Sequence, residues 1–260
     1  MSALLVATQV ELFKLKRTLA LAVAFVVPMA LLLMVGANIL SRDANATLPG
    51  PSPWNALIVN FTYFLWCVLA WPLLVTLETA LLASLEHSHT HWKDLFSLAI
   101  PRWSIYGAKV LTGALLTAVS LAVLGIGVGL EGMLLNTIRP SLGLVAPVPW
   151  LDIASSLSAM FGATLLLLAL LTWVAVRWSS FAVPASVGIT GTIIGLILDL
   201  SARADAWARM FPWSMPLSAV APIDERRTLE SHLIALGVGI IGGVVVSIVG
   251  AWDVARRDVT

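Results

Sequence analysis

The sequence has little charge, and this alone excludes most soluble proteins. Of its 260 residues, 11% are Asp, Glu, Lys or Arg, whereas 59% are hydrophobic. Soluble domains carry roughly 25% charged residues. The formal net charge is only +1, so no extended basic surface for a nucleic-acid partner is expected. The composition predicts an integral membrane protein.

Cysteine and the common catalytic motifs are also scarce. The single cysteine, Cys67, lies within an apolar block, which argues against disulfides and thiolate metal sites. The sequence contains no G-x-x-x-x-G-K-[ST], no H-E-x-x-H and no G-x-S-x-G. These are the patterns of phosphate-binding loops, zinc proteases and serine hydrolases. We therefore expect no nucleotide cradle of the P-loop kind and no catalytic residues in this chain.

Long apolar blocks are abundant, and each is near the roughly 20 residues that a helix needs to cross a bilayer. Six blocks cover about 19–40, 56–77, 105–130, 153–176, 181–198 and 232–252. They predict an all-α integral membrane fold in which residues 1–260 form a single transmembrane domain. Pro28 and Pro72 lie inside the first two spans, where neighbouring helices can satisfy the carbonyls that a proline leaves free.

The positions of the lysines predict the orientation. Six spans place both termini on one side, and Lys14, Lys16, Lys93 and Lys109 all lie at that side. Because cytoplasmic loops carry an excess of Lys and Arg, we expect the N- and C-termini to be cytoplasmic. On the other side lies a longer loop, residues 201–228, whose aromatic residues suit an interfacial or re-entrant turn.

The segment before the first span predicts a helix lying in the membrane interface. In residues 1–18, a helix would put Leu4, Leu5, Leu12, Leu15 and Leu19 on one stripe and Glu11, Lys14 and Thr18 on another face. An apolar stripe with a basic edge, here Lys14, Lys16 and Arg17, is typical of interfacial helices. The simpler alternative is a basic flank that only orients the first span.

A second amphipathic segment lies between spans two and three. Trp92, Leu95, Phe96 and Ala99 recur at i, i+3, i+4 and i+7, the spacing of one helical face. Pro101 ends this short helix, because proline disfavours helical backbone at the residue before it. Such a helix fits a groove in a partner protein or can lie flat on lipid.

Three alternating histidines precede this helix. On a helix His87 and His91 are i, i+4 neighbours with Asp94 within reach, a spacing that allows a metal site with two His and one carboxylate. However, His89 would point away, and metal sites normally bring a complete ligand set. The alternative that we favour is a solvated, polar helix start, so no metal is expected.

Few polar residues lie within or beside the spans. Glu78, Asp152, Asp199 and His232 are the ionisable ones, and we expect them to lie close enough to an interface to be solvated or paired. Asn38, Asn60 and Glu78 are candidates for lining a pathway, although the two asparagines also suit hydrogen bonds between helices. Three Gly-x-x-x-Gly spacings, at Gly125, Gly191 and Gly239, favour closely packed helices.

Two stretches carry a resemblance to a known family. The N-terminal "ELFKLKRT" runs from Glu11 into a proline-containing span, and Glu86 is followed by "WKDLFSLAIPRWSIYGAK", Trp92 to Lys109. The pattern resembles the ABC-2 type permeases, especially the small permeases of bacitracin and lantibiotic export or immunity systems. The resemblance extends over the whole chain in the number and length of spans.

The resemblance implies a permease subunit of an ATP-binding-cassette exporter in the bacterial cytoplasmic membrane. It implies an N-terminal connecting helix, carrying Glu11, Lys14, Lys16 and Arg17. It also implies a cytoplasmic coupling helix with Trp92, Leu95 and Phe96 as anchors, and with Glu86, Lys93, Asp94 and Arg102 at its rim. The implied partners are separate ATPase subunits, which would hold ATP and Mg, and a second permease subunit, identical or different. The implied cargo is a peptide antibiotic or another amphiphile.

Two other functions remain open from the sequence. A secondary transporter would need ionisable residues in the middle of its spans, where this chain has almost none. A metal-binding or intramembrane enzyme would be built on His87, His91 and Asp94.

Overall fold

The structure is a computed structural model that describes residues 3–16, 18–43, 47–48, 52–87, 101–201, 205–221 and 228–256, without the side chains of 59–62, 85–87 and 205–206. Helix α1 is followed by six longer helices. Their bounds are α1 Ala3–Leu15, α2 Leu19–Leu40, α3 Trp71–His87, α4 Arg102–Ile138, α5 Trp150–Arg177, α6 Ala182–Leu200 and α7 Leu229–Ala255. Six helical segments are long and apolar enough to cross a membrane, which confirms the predicted all-α membrane fold.

The second span begins as a wide helix. Ser52 caps a first turn, Pro53–Asn55, by accepting a hydrogen bond from the Asn55 N–H at 3.4 Å. Two π-helical stretches follow, Ala56–Tyr63 and Trp66–Ala70, and α3 continues from Trp71. Pro72 has no N–H for an α-helical bond to the residue four before it, and the wide turns lie directly before it. The segment ends at His87, beyond the predicted limit near residue 77.

Helix α4 is the central element of the bundle. Its 37 residues extend the predicted span of 105–130 at both ends. Buried positions recur every three or four residues along its whole length, so that one stripe faces the other helices. The stripe contains Ser104, Ala108, Thr112, Leu116, Ser120, Leu124, Val128, Gly132 and Leu135. Around it pack α1, α2, α5 and α7.

Helices α5 and α7 make the most extensive contact in the described chain, and glycine explains it. A methyl group at Gly239 would lie 2.6 Å from the Ala163 Cα, and one at Gly243 would lie 2.8 Å from the Leu165 carbonyl carbon. Only residues without a side chain let two backbones approach this closely. The predicted close helix packing is therefore present at this spacing.

The other two glycine spacings accept side chains instead of a helix backbone. Gly129 lies against the Trp150 ring, and Gly191 lies under the indole of Trp213. Trp213 stacks on Phe211 with ring centroids 5.2 Å apart. The hydroxyl of the neighbouring Ser214 donates to the Gly195 carbonyl at 3.3 Å.

The loop after α6 therefore folds back onto the bundle. Met215, Leu217 and Ser218 are buried in a short turn, Met215–Ser218, that contacts α5 and α7. Trp207 of the same loop is 73% exposed, and the interfacial or re-entrant turn stays a prediction.

Both described ends of the chain lie at the same end of the bundle. The Lys109 ammonium near the start of α4 binds Glu11 of α1, and Tyr106 packs against Gly250 near the end of α7. We call this the α1 end. The α4–α5 connection and the starts of the second and sixth spans lie at the opposite end.

Candidate functional site

The α1 end contains a buried ion pair that ties the first helix to the transmembrane bundle. The Lys109 ammonium lies 3.4 Å from a Glu11 carboxylate oxygen and donates to the Leu82 carbonyl of α3 at 3.2 Å. Glu11 is 3% exposed and Lys109 is 1% exposed. A charge removed from water this completely needs an opposite charge and hydrogen bonds nearby. The pair therefore joins α1, α3 and α4 at one point.

Leucines of α1 pack against the bundle on either side of the Glu11–Lys109 pair. Leu15 is buried among Ala20, Leu82 and Leu116, and the side chain of Leu4 approaches Gly107. Lys14 adds a second contact to the Glu11 carboxylate, at 2.9 Å, from a position that is 31% exposed. Helix α1 thus contacts the bundle along its length.

The predicted face of α1 was wrong in one respect. Glu11 was assigned to the polar face, away from the leucine stripe, but it is buried beside Leu15. Conversely, Leu5 of the predicted stripe is 56% exposed, and Phe13 is 69% exposed. The reason is Lys109, whose buried charge brings the Glu11 face of the helix against α4. The exposed face of α1 is apolar enough to contact lipid, which fits an interfacial position.

The remaining basic residues predicted for the N-terminal segment lie at its edge. The Lys16 ammonium lies 5.3 Å from the centroid of the Phe13 ring, within the range of a cation–π contact. Arg17 lies outside the described residues.

The predicted coupling helix also lies outside the described residues, because Trp92, Lys93, Asp94, Leu95 and Phe96 all fall in 88–100. Its two ends are described. Glu86 belongs to the last turn of α3, and Arg102, half-buried, is the first residue of α4. The Ser104 hydroxyl donates to the Pro101 carbonyl at 2.6 Å in the first turn of α4. The described residues on either side of this stretch, His87 and Pro101, therefore both lie at the α1 end.

The proposed histidine metal site falls in the same part of the chain. His91 and Asp94 lie outside the described residues, and the side chain of His87 is not described. No group of three metal-ligating side chains occurs within the part of the chain that the structure describes.

Glu78 lies in the interior of the bundle, between α3 and α4. It is fully buried, and its carboxylate accepts hydrogen bonds from Ser120 at 2.9 Å and Thr117 at 3.5 Å. We expected Glu78 to lie close enough to an interface to be solvated or paired; its side chain is not exposed, and its carboxylate is paired with two hydroxyls. Two hydroxyls supply the polar contacts that water would provide at an interface.

The two candidate asparagines have different surroundings. Asn38 is exposed near the end of α2, and its amide oxygen accepts from Arg42 at 3.3 Å. This contact lies within one helix end, so Asn38 does not join two helices there. Asn60 belongs to the π-helical part of the second span, and its side chain is outside the described set.

One hydrogen bond and the apolar packing beside it join three helices at the α1 end, and this contact was not predicted from the sequence. Trp173 of α5 donates to the Asp253 carboxylate of α7 at 3.0 Å. Tyr106 of α4 packs beside them against Gly250.

Lys109 belongs to the stretch that carries the family resemblance, but it was not predicted to be a site residue. Its contacts with Glu11 and the Leu82 carbonyl are visible only once the helices are packed.

A comparison with known protein families identifies the family of this chain. A family model described as "ABC-2 family transporter protein" matches residues 7–195, which include Glu11, Glu78 and Lys109. A search of curated proteins and a search of solved structures each found no match. The match extends over more than half of the 260 residues. The chain therefore belongs to the ABC-2 transporter family and is a multi-pass, membrane-spanning subunit of an ATP-binding-cassette transporter.

Proposed function

We propose that this chain is the permease of a bacterial exporter, that it works as a dimer in the cytoplasmic membrane, and that a separate ATPase subunit drives it by binding at the α1 end. Members of the family generally work with ATPase subunits. The observation that carries the proposal is the buried Glu11–Lys109 pair. It attaches α1 to the long helix α4, whose first residue directly follows the predicted coupling segment.

This arrangement suits the transmission of a movement. A partner that displaces residues 88–100 would move the start of α4, because Pro101 directly precedes that helix and its carbonyl accepts the Ser104 hydroxyl. Glu11 and the Leu82 carbonyl would move with it, since both contact Lys109. Helix α4 crosses the whole bundle, so a displacement at one end can reach the other.

Energy for transport would come from the partner. The chain has no phosphate-binding loop, so ATP and Mg²⁺ would bind to the ATPase and not to the permease. The anchors that we propose for docking are Trp92, Leu95 and Phe96, because aromatic and large apolar side chains carry most of the energy of such interfaces. Glu86, Lys93, Asp94 and Arg102 would contribute smaller contacts at the rim.

The exposed helix faces suit a second permease subunit as well as lipid. Ile189, Ile193 and Ile197 form an outward apolar row on α6. Helix α7 exposes a similar row, including Ile241, Val245 and Ile248. An amphiphile, such as a peptide antibiotic, would be carried between two such subunits, identical or different.

The test compares two paired substitutions in the coupling segment. Trp92→Ala/Phe96→Ala should abolish co-purification with the ATPase and substrate-stimulated ATP hydrolysis, while membrane insertion persists because the spans are unchanged. His87→Ala/His91→Ala, in the same segment, should remain near wild type. Loss of function in the histidine pair alone, with stoichiometric zinc or copper binding, would replace the docking proposal with a metal site. ATP hydrolysis by the purified permease alone would also contradict it.

A second candidate, ion-coupled secondary transport, is favoured by one observation, the complete burial of Glu78. A carboxylate inside a membrane bundle often marks an ion pathway. Proteoliposomes that contain only this chain distinguish the two functions. Substrate uptake driven by an ion gradient and lost in Glu78→Gln supports the secondary transporter, whereas transport that requires the ATPase supports the permease.

A further inference from the structure

A pocket with one acidic wall lies at the end of the bundle opposite α1. Its volume is about 450 Å³, within the range of small-molecule sites in proteins. Trp54, Ile58 and Pro147 provide its apolar surface, and Asn55, Asp152 and Ser156 provide polar groups. It lies between the start of the second span, the α4–α5 connection and the first turns of α5.

Rigid contacts hold the walls of this pocket. The Trp54 indole N–H donates to the Ala146 carbonyl at 2.8 Å, which fixes the α4–α5 connection against the second span. Trp54 is 4% exposed, and its ring fills the space beside Gly132. Gly143, with φ of +76°, makes the left-handed turn that brings this connection beside Pro53, a conformation that glycine adopts without strain. The pocket is thus preformed.

The polar groups of the pocket are available for a ligand. Asp152 and Ser156 are i, i+4 neighbours on α5, so both side chains lie on one face. The carboxylate of Asp152 has no ion-pair partner or hydrogen-bond donor among the described residues, and neither the Asn55 amide nor the Ser156 hydroxyl bonds to another described side chain. Asp152 is the single ionisable side chain among the described residues that line the pocket.

We propose that this pocket binds an organic cation: an ammonium group beside Asp152, joined to an apolar body that contacts Trp54, Ile58 and Pro147. Opposite charge attracts the ammonium, and the amide and hydroxyl oxygens of Asn55 and Ser156 supply further acceptors. An anion of the same shape would be repelled by Asp152. This inference goes beyond the proposed transport function and does not depend on an ATPase.

The test uses the permease alone in lipid nanodiscs, with octylammonium as the cation and octyl sulfate as the anion of equal chain length. Titration calorimetry, corrected with empty nanodiscs, should show saturable binding of the cation only. Asp152→Asn should weaken this binding about tenfold, because it removes one charge and keeps the side-chain shape. Glu230→Gln is the matched control, since Glu230 is an exposed carboxylate in the first turn of α7 at the same end but outside the pocket.

Each result of this titration either supports or contradicts the proposed cation site. Selective cation binding that weakens in Asp152→Asn and is unchanged in Glu230→Gln supports the site. Equal binding of both probes, no saturable binding, or equal effects of the two substitutions would overturn it. None of these results affects the docking test, which measures the ATPase at the other end of the bundle.

Discussion

At the scale of single residues, the contact between Glu11 and Lys109 joins helix α1 to helix α4, which begins directly after the predicted coupling segment. Both side chains are almost fully buried, and the Lys109 ammonium also holds a carbonyl of α3. A buried pair adds little stability compared with apolar residues of the same size, but removal of one partner leaves the other buried with fewer compensating contacts. The main role of the pair is therefore to hold α1 in one position on the bundle.

The first prediction follows from the difference between removing one partner of the pair and replacing both. Lys109→Met should lower the free energy of unfolding by about 1–3 kcal/mol, because the Glu11 carboxylate loses its buried partner and keeps only Lys14, while the Leu82 carbonyl loses its donor. The double substitution Glu11→Gln/Lys109→Met should cost clearly less than the sum of the two single changes. Unfolding by SDS titration in mixed micelles measures both.

Lys14→Met is the control for this cycle. Lys14 contacts the same carboxylate but is 31% exposed, and exposed pairs contribute about 0–1 kcal/mol. If the costs of the Glu11 and Lys109 substitutions simply add, the two residues do not act as a pair and α1 is held by packing alone.

The sequence could not predict this contact, for a physical reason. The two residues lie 98 positions apart, and hydrophobic periodicity reports only which side of one helix is apolar. For α1 that rule placed Glu11 on the polar, solvent-facing side. In the structure Glu11 is buried instead, because Lys109 of α4 supplies an opposite charge inside the bundle. Glu78 shows the same limit, because Thr117 and Ser120 on a different helix determine whether it needs solvent.

At the scale of helices, the glycines show how identical spacings acquire different roles. Gly239 and Gly243 face the backbone of α5, Gly129 faces a Trp150 ring, and Gly191 faces Trp213. The Gly-x-x-x-Gly pattern correctly predicted close approach. It did not predict what approaches, because that depends on the neighbouring element and not on the helix that carries the glycines.

The second prediction concerns helix α7. Gly239→Ala should destabilise the bundle by about 1–3 kcal/mol, because the added methyl would meet the backbone of α5, which cannot rotate away as a side chain can. Gly237→Ala, in the same helix, should be neutral or slightly stabilising, since no atom lies within 4 Å of the added methyl and alanine favours helix.

Thermal unfolding in detergent compares these two variants directly. Equal melting temperatures for Gly239→Ala and Gly237→Ala would show that α5 and α7 are further apart in the detergent-solubilised protein than in this structure.

At the scale of the whole molecule, six spans were predictable because bilayer thickness sets the length of an apolar helix. Their number was confirmed. The lengths were not predictable, since α4 continues to Ile138 and the second span to His87. Both extensions lie beyond the predicted apolar cores, where packing against neighbouring elements and not hydropathy determines the end of a helix.

The third prediction concerns orientation, which the distribution of lysine assigns. In a Cys67→Ala background, Val145→Cys should react with a membrane-impermeant maleimide in intact cells, and Ser179→Cys only after permeabilisation. Val145 is 80% exposed in the α4–α5 connection, and Ser179 is exposed in the α5–α6 turn at the α1 end. Labelling of Ser179→Cys from outside would place the termini on the other side of the membrane.

The Glu11–Lys109 contact also has a consequence for biosynthesis. Glu11 leaves the ribosome 98 residues before its partner, and at roughly 5–20 residues per second this delay is about 5–20 s. During that time α1 must lie at the membrane surface with its carboxylate in water, because no buried cation is yet present to receive it. Helix α1 can therefore take its final place only after the third span has been inserted, so that the first helix to be made is among the last to dock.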